Sequence, residues 1–259
     1  MQSPIDLHQK RMEVLPNMGC LKREYKPAKA ILKNRGHDIT LNWGESGAGT
    51  LEINQTEYVL KQCHWHSPYE HTFNGRRYSL EMHLVHESKQ EKRAVVAFAY
   101  KIGRPDSFLS EGMMVSLIRL CQSHLYNRFL NDLWPGLDFA QFFRLTITVM
   151  GNILSIADSK DAEAQTGVGV VDPRHIKMGS RKYYRYMGSL TTPPCTQGVA
   201  WNVVKKVNTF YRQQLSLLRA AVHGKAEANA RPTQPINKRK FTSTPQGVFE
   251  LFSTFDFNM

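Results

Sequence analysis

Closely spaced cysteine pairs are missing from this 259-residue sequence, whose four cysteines are at positions 20, 63, 121 and 195. None of them belongs to a C-x-x-C pair. The spacing therefore argues against a structural zinc site built from cysteines and against a thioredoxin-like redox centre.

Long apolar runs are also missing. No stretch of about 18 apolar residues is present, so the sequence predicts no membrane span. Met1 is followed by the polar run Gln2-Ser3-Pro4-Ile5-Asp6, which lacks the features of a signal peptide. We expect a soluble chain without a targeting segment of its own.

Positive charge is abundant but not concentrated. The formal net charge is +12 and the sequence pI is about 9.6, values that suit binding to nucleic acid or to an anionic membrane surface. The basic residues are nevertheless spread along the chain, with short clusters only at Lys22-Arg23 and Lys238-Arg239-Lys240, and no nucleic-acid-binding motif accompanies them. We predict a solvated basic surface and no nucleic-acid partner.

Short segments of β character punctuated by glycine turns dominate the sequence. A chain of this length, with 41% hydrophobic and 22% charged residues, fits one large globular domain over 1–259. The segment 94–100 is almost entirely apolar, which predicts a central strand covered on both faces. Further strands are predicted over 39–43, 168–171 and 201–207, and a short helix is predicted over 215–222.

The run Gln62-Cys63-His64-Trp65-His66 is the most informative part of the sequence. Side chains two residues apart on a strand point to the same face, so His64 and His66 project together. A turn at Asn74-Gly75 would pair this strand antiparallel with 80–85, which carries His83. Three imidazoles leave one corner of a zinc tetrahedron open, as a catalytic site requires.

Two ordinary histidines on a strand are the alternative interpretation of His64 and His66. The neighbouring residues favour a metal. Gln62 shares a face with His64, and Glu81 shares a face with His83, so each can accept the second ring N–H of a ligand and fix its tautomer.

Two further histidines, His71 and His86, are not predicted to bind the metal. His86 is three residues from His83 and should point to the opposite face of the strand. We predict that both are core or surface histidines with satisfied hydrogen bonds.

An ordered set of motifs resembles the signatures of α-class carbonic anhydrases, and of their plant branch in particular. The motifs are Asn34-Arg-Gly-His-Asp38, Gln62-Cys-His-Trp-His66, Glu70-His-Thr72, Glu81-Met-His-Leu-Val-His86, Val170-Val-Asp-Pro173, Gly188-Ser-Leu-Thr-Thr-Pro-Pro194 and Asn229-Ala-Arg-Pro232. The resemblance covers most of 2–110 and 166–240. It implies a mainly β fold, with a large central, mostly antiparallel twisted sheet and a few short peripheral helices.

The activity implied by the resemblance is the reversible hydration of carbon dioxide to bicarbonate and a proton, catalysed through zinc-bound hydroxide. The implied Zn²⁺ ligands are His64, His66 and His83. The groups implied to orient these rings are Gln62, Glu81 and a backbone carbonyl near Asn229.

Further site residues follow from the same resemblance. Thr191 is expected to orient the nucleophile while donating to the ionised carboxylate of Glu70, and His37 is expected to shuttle protons because an imidazole titrates near neutrality. The residues implied to bind the substrate are Val85, Val95, Leu190, Thr192, Val199 and Trp201.

Two departures from the family pattern are apparent. The family has a segment before Gln2-Ser3-Pro4, so we expect this chain to be truncated at its N-terminus. The stretch between 109 and 167 is longer than connections in compact domains tend to be. We predict an atypical insertion over 112–159, outside the family fold.

Related plant proteins suggest a compartment and an alternative function. The resemblance implies the secretory route, with an extracellular or chloroplast stroma destination, and Asn54-Gln55-Thr56 is an N-glycosylation acceptor. The alternative is a catalytically impaired storage or binding protein of the same fold. The sequence leaves the oligomeric state open.

Overall fold

Thirteen strands form one sheet in the computed structural model, which describes residues 1–8, 10, 12–15, 18–110, 165–220 and 228–244. The strands are β1 Met12–Val14, β2 Lys22–Tyr25, β3 Ala28–Asn34, β4 Ile39–Asn42, β5 Gly49–Ile53, β6 Thr56–His66, β7 Leu80–Glu87, β8 Arg93–Ile102, β9 Gln165–Val171, β10 Tyr183–Ser189, β11 Gln197–Val204, β12 Asn208–Phe210 and β13 Phe241–Ser243. Two short helices, α1 Ser107–Ser110 and α2 Arg212–Ala220, and a 3-10 turn, Pro173–His175, accompany them. The predicted insertion over 112–159 lies outside the described residues.

The strand order confirms a large, mostly antiparallel sheet. The main path runs β1-β13-β10-β11-β8-β7-β6-β4-β3-β9, while β12 pairs with β8 and β2 pairs with β5, which pairs with β6. Within the described ranges, the parallel pairs are β1 with β13, β11 with β8 and β12 with β8.

No helix of the described ranges is long and apolar enough to cross a membrane.

Strand β8 is the centre of the molecule, as its apolar sequence predicts. Every residue from Ala94 to Tyr100 is buried. Val96 and Phe98 pack into one hydrophobic cluster, whereas Val95 and Ala97 pack into a second one together with Trp201. Because alternate side chains enter different clusters, the sheet is covered on both faces at this strand.

The other predicted segments are largely present. The segment 168–171 falls in β9, and the segment 39–43 corresponds to β4, which ends at Asn42. The predicted helix over 215–222 corresponds to α2, which begins three residues earlier, at Arg212; positions 221 and 222 lie outside the described residues. The predicted strand over 201–207 is displaced towards the C-terminus, because β11 begins at Gln197 and ends at Val204. The chain bends at Lys205 and Lys206 and then pairs with the far end of β8 through β12.

His86 is a core histidine with satisfied hydrogen bonds, as predicted. Its ring is fully buried, with Nε2 2.8 Å from the Tyr25 hydroxyl and Nδ1 3.2 Å from the Ala94 carbonyl oxygen. Burial lowers the pKa of His86 to about 3, because the charged ring would lose its hydration. His86 is therefore neutral in the folded protein at physiological pH.

A His86→Gln variant should make protein stability less sensitive to acid. Between pH 6.5 and pH 3 the unfolded chain binds a proton at His86 that the folded chain does not, so the free energy of unfolding falls as the pH is lowered. Between pH 7 and pH 4.5 this contribution amounts to about 3 kcal/mol. Urea unfolding at the two pH values should show a correspondingly smaller loss in His86→Gln. An equal loss in both proteins would contradict the assignment.

Candidate metal centre

Antiparallel pairing of β6 with β7 brings the three predicted ligands together. His64 and His66 point to one face of β6, and His83 is the direct partner of His64 on β7. The ring centroids lie 4.8 to 5.1 Å apart. One nitrogen from each ring can be chosen so that all three lie within 4.8 Å of one another.

The nitrogens at this meeting point fit a zinc ion. His66 Nε2 is buried and has no hydrogen-bond partner among the residues that the structure describes, and His64 Nε2 lies 3.3 Å from His83 Nδ1. Burial, followed by the proximity of the other two rings, lowers the pKa of His64 well below its usual range, and burial also lowers the pKa of His83. Three buried imidazoles with converging nitrogens are a donor set suited to Zn²⁺, with a coordination position left for a reactant.

The second nitrogen of each ligand ring meets an oxygen that can hold its N–H. Such contacts fix the tautomer and the ring orientation of metal ligands. They are His64 Nδ1 to Gln62 Oε1 at 2.8 Å, His66 Nδ1 to the Asn229 carbonyl oxygen at 3.3 Å, and His83 Nε2 to Glu81 Oε1 at 2.8 Å. The pairs of His64 with Gln62 and of His83 with Glu81 are those that strand alternation predicts, and the pair of His66 with Asn229 is the one that the family resemblance implies.

Glu81 is itself held by a network that the sequence did not reveal. Its Oε1 lies 2.6 Å from His71 Nδ1, and its Oε2 accepts from the backbone N–H groups of Glu70, at 2.7 Å, and His71, at 3.0 Å. Burial raises the pKa of Glu81, but the charges and hydrogen bonds of His71 and His83 outweigh it and bring the pKa below the usual range. His71 is buried and satisfied, as predicted, and its other nitrogen lies 2.7 Å from the Tyr186 hydroxyl. It also positions Glu81.

Glu70 lies beside the ligand histidines, and one of its two carboxylate oxygens is hydrogen-bonded to the backbone. Its Oε1 accepts from the backbone N–H of Arg231 at 2.9 Å. Its Oε2 is buried 3.9 Å from His83 Nε2 and makes no hydrogen bond to the described part of the chain. Thr191 is buried and lines the same site, although no hydrogen bond joins Thr191 to Glu70 within the described residues. The carboxylate oxygen that a Thr191 hydroxyl needs is available.

A cavity of about 230 Å³ opens beside His64 and His83. Five of the six predicted substrate-binding residues line it: Val85, Val95, Leu190, Thr192 and Trp201. Val199 does not line the cavity. It is buried in the hydrophobic cluster that contains Val95 and Trp201, so it supports the wall from behind.

His37 lies at the surface, in the turn between β3 and β4, and does not line the cavity. Its Nδ1 is 3.1 Å from the Arg35 carbonyl oxygen, and its Nε2 is 3.6 Å from Asp38 Oδ2. The Asn229 side chain donates to the His37 carbonyl at 2.7 Å. This turn is therefore tied to the residue whose carbonyl holds the His66 ring.

Charged residues at the rim of the cavity were not recognised in the sequence. They are Arg35, Lys61, Glu87 and Arg93. Lys61 precedes Gln62 directly, so strand alternation places it on the opposite face. A register shift between Leu60 and Gln62 in β6 brings Lys61 into the cavity. The residue pattern does not predict that shift.

Comparison with known proteins gives consistent matches. The family model for eukaryotic-type carbonic anhydrase matches residues 1–135 and 141–245. Alpha carbonic anhydrase 7 of Arabidopsis thaliana is 49% identical over 239 residues, covering 92% of this chain and 72% of that protein.

Solved structures agree with the sequence matches. A crystal structure of dioscorin complexed with ascorbate has a TM-score of 0.76 at 37% identity, over 96% of this chain and 87% of that one. The α-carbonic anhydrase of Thermovibrio ammonificans, in complex with sulfanilamide, has a TM-score of 0.67 at 28% identity, over 93% and 86% of the two chains. With the family model spanning nearly the whole described sheet, the chain belongs to the eukaryotic-type, or α-class, carbonic anhydrase family.

Proposed function

We propose that the protein is a zinc lyase that catalyses the reversible hydration of carbon dioxide to bicarbonate and a proton. The observation that carries this proposal is the convergence of His64, His66 and His83 next to a cavity with an apolar wall. The Nε2 of His66 is buried among these rings and has no partner within the described ranges. When bound there, Zn²⁺ supplies a Lewis acid that makes water a nucleophile near neutral pH.

The side chains around the ligands suit this reaction. Carbon dioxide is uncharged and linear, and the apolar surface of Val85, Val95 and Trp201 offers it a dry contact beside the metal position. The Thr191 hydroxyl would accept a hydrogen bond from the attacking water and donate its own proton to Glu70 Oε2. A carboxylate at Glu70 can only accept a hydrogen bond, so this arrangement fixes the direction of the Thr191 O–H bond. The attacking water would then donate to the Thr191 oxygen, and a lone pair of the water oxygen would face carbon dioxide.

One sample suffices for the test of this proposal. Stopped-flow carbon dioxide hydration and zinc content are measured on the same full-length protein. We expect about one zinc per chain and a rate that disappears when a chelator removes the metal. Zinc-loaded protein that hydrates carbon dioxide no faster than buffer would refute the proposal.

His37 is proposed as the proton shuttle, although its ring faces Asp38 rather than the cavity. Its side chain is 53% exposed, so it has room to change rotamer. We expect His37→Ala to lower kcat about tenfold or more in weak buffer, since general acid–base groups contribute about 10²–10⁴-fold. Added imidazole should restore the rate.

The control for this measurement is His8→Ala, which removes an imidazole from outside the cavity. It should leave kcat unchanged in every buffer. If His37→Ala hydrates carbon dioxide at the parent rate in weak buffer, protons leave the site by another route.

A storage or binding protein is the second candidate function, because a dioscorin is among the similar solved structures and that structure holds ascorbate. Under this hypothesis the cavity takes an organic molecule and the purified protein contains no zinc. Metal analysis therefore separates the two candidates before any rate is measured.

We also propose passage through the secretory route, to an extracellular or plastid destination. Asn54 and Gln55 are exposed at the turn between β5 and β6, so the acceptor asparagine of Asn54-Gln55-Thr56 is accessible to a glycan. Expression in plant cells behind a secretion leader should give a product whose mass falls on endoglycosidase treatment. An unmodified secreted product, identical to Asn54→Gln, would exclude the glycan.

A further inference from the structure

The lining of the cavity beside the histidines changes from apolar residues at its inner wall to charged residues at its rim. Val85 and Glu87 are two residues apart on β7, and Val95 and Arg93 are two residues apart on β8, so each pair shares a face. All four line the cavity. On both strands the apolar residue stands next to the metal ligands and the charged residue one step farther out.

A β-bulge adds a cation to this rim. Leu60 pairs with His86 and Gln62 pairs with Val85, so Lys61 is an extra residue without a partner on β7. The bulge reverses the alternation of β6, and Lys61 therefore lines the cavity together with its neighbour Gln62. A regular strand would have turned Lys61 to the other face.

Three cations, Arg35, Lys61 and Arg93, then face one carboxylate, Glu87, at the rim. They differ in what already holds them. The Arg35 guanidinium binds both carboxylate oxygens of the buried Asp38, which leaves it little capacity for a ligand. The Lys61 ammonium donates to the backbone carbonyl of Glu45 at 2.6 Å and contacts the Glu45 carboxylate at 3.3 Å. Glu45 is fully exposed, so the ion pair is weak, and the third N–H of the ammonium is left for a ligand.

Arg93 is the cation with the most binding capacity left. It is half-buried, and its guanidinium makes no hydrogen bond or ion pair within the part of the chain that the structure describes. Glu87 is its cross-strand neighbour, but no contact of 4 Å or less joins their charged groups there. A partly desolvated guanidinium favours a carboxylate that can occupy two of its N–H groups.

We propose that the cavity is a binding site for a small amphiphilic carboxylate, with the carboxylate between Lys61 and Arg93 and the apolar body against Val85, Val95 and Trp201. The volume of about 230 Å³ lies below the roughly 300–1,000 Å³ of sites for drug-sized ligands, so the ligand is about one ring with a short acidic chain. Its charged end points away from the histidines. Binding therefore needs no metal, and this inference stands apart from the proposed lyase activity.

The test is calorimetric titration of the full-length protein with 3-phenylpropanoate and with its neutral amide. The acid should bind about tenfold more tightly than the amide, because a hydrogen bond to a charged group is worth about 1.5–3 kcal/mol. Arg93→Met and Lys61→Met should each abolish that preference. The matched control Lys89→Met removes a cation from a neighbouring groove, outside the cavity, and should bind the acid like the parent.

Two further measurements distinguish a carboxylate held at the rim from a carboxylate bound to the metal. Glu87→Gln removes the opposing charge and should tighten acid binding about threefold, a gain that misfolding cannot produce. Removal of metal by a chelator should leave the Kd of the acid within twofold. If affinity requires the metal, or if acid and amide bind equally to the parent protein, the carboxylate does not sit on Lys61 and Arg93 and the proposal fails.

Discussion

Replacing His83 by alanine is expected to remove zinc from the protein and to lower the rate of carbon dioxide hydration at least about a thousandfold, because the metal supplies the nucleophile. His64 and His66 would remain, but two imidazoles bind zinc far less tightly than three. The third donor is the one that β7 brings to β6 through the His64–His83 pairing. Metal analysis and stopped-flow kinetics on one preparation measure both effects.

Loss of folding has to be separated from loss of the metal, since His83 is fully buried. Addition of zinc to the metal-free parent should raise its melting temperature, because the ion binds the folded state. In His83→Ala, zinc should leave the melting temperature unchanged while the circular dichroism spectrum stays that of the parent. His175→Ala serves as the control, because it removes an exposed imidazole from outside the metal centre. A variant of His83 that keeps one zinc and the parent rate would contradict the ligand assignment.

Local regularity explains why the ligands could be predicted from the sequence. Strand alternation alone places Gln62, His64 and His66 on one face. The connection over 67–79, which contains the tight turn at Asn74-Gly75, then returns the chain to the sheet with Glu81 and His83. Both features depend on residues that are close in sequence. The same reasoning identified β8 as central, since only a strand covered on both faces tolerates so many consecutive apolar residues.

Contacts between residues far apart in sequence could not be derived from residue patterns alone. The Asn229 carbonyl that meets His66 lies 163 residues away, and the Arg231 N–H that binds Glu70 lies 161 residues away. Periodicity contains no information on such pairs, and Asn229 was identified only through family resemblance. Strand alternation also predicts the wrong face for Lys61, because an irregularity of one residue in β6 reverses the face on which Lys61 lies.

Glu70→Gln is expected to lower kcat/KM about 10²- to 10³-fold, the size of effect seen when one preorganised polar contact is removed from an active site. The Arg231 N–H needs an acceptor, so the amide oxygen of glutamine would take the place of Oε1. The amide NH₂ would then occupy the position of Oε2. There it donates, and the Thr191 hydroxyl can no longer donate to it.

A double-mutant cycle distinguishes this orienting role from a general disturbance of the metal centre. Thr191→Val alone should also lower kcat/KM about 10²-fold, by removing the hydroxyl that Glu70 orients. Zinc affinity should stay within a few-fold of the parent in both single variants, since Gln62, Glu81 and the Asn229 carbonyl still hold the ligand rings. If Glu70 acts through Thr191, adding Glu70→Gln to Thr191→Val should cost little more than Thr191→Val alone. Losses that simply multiply would mean that the two residues act independently, and Glu70 would then act on the ligands themselves, from which its Oε2 is only 3.9 Å away at His83 Nε2.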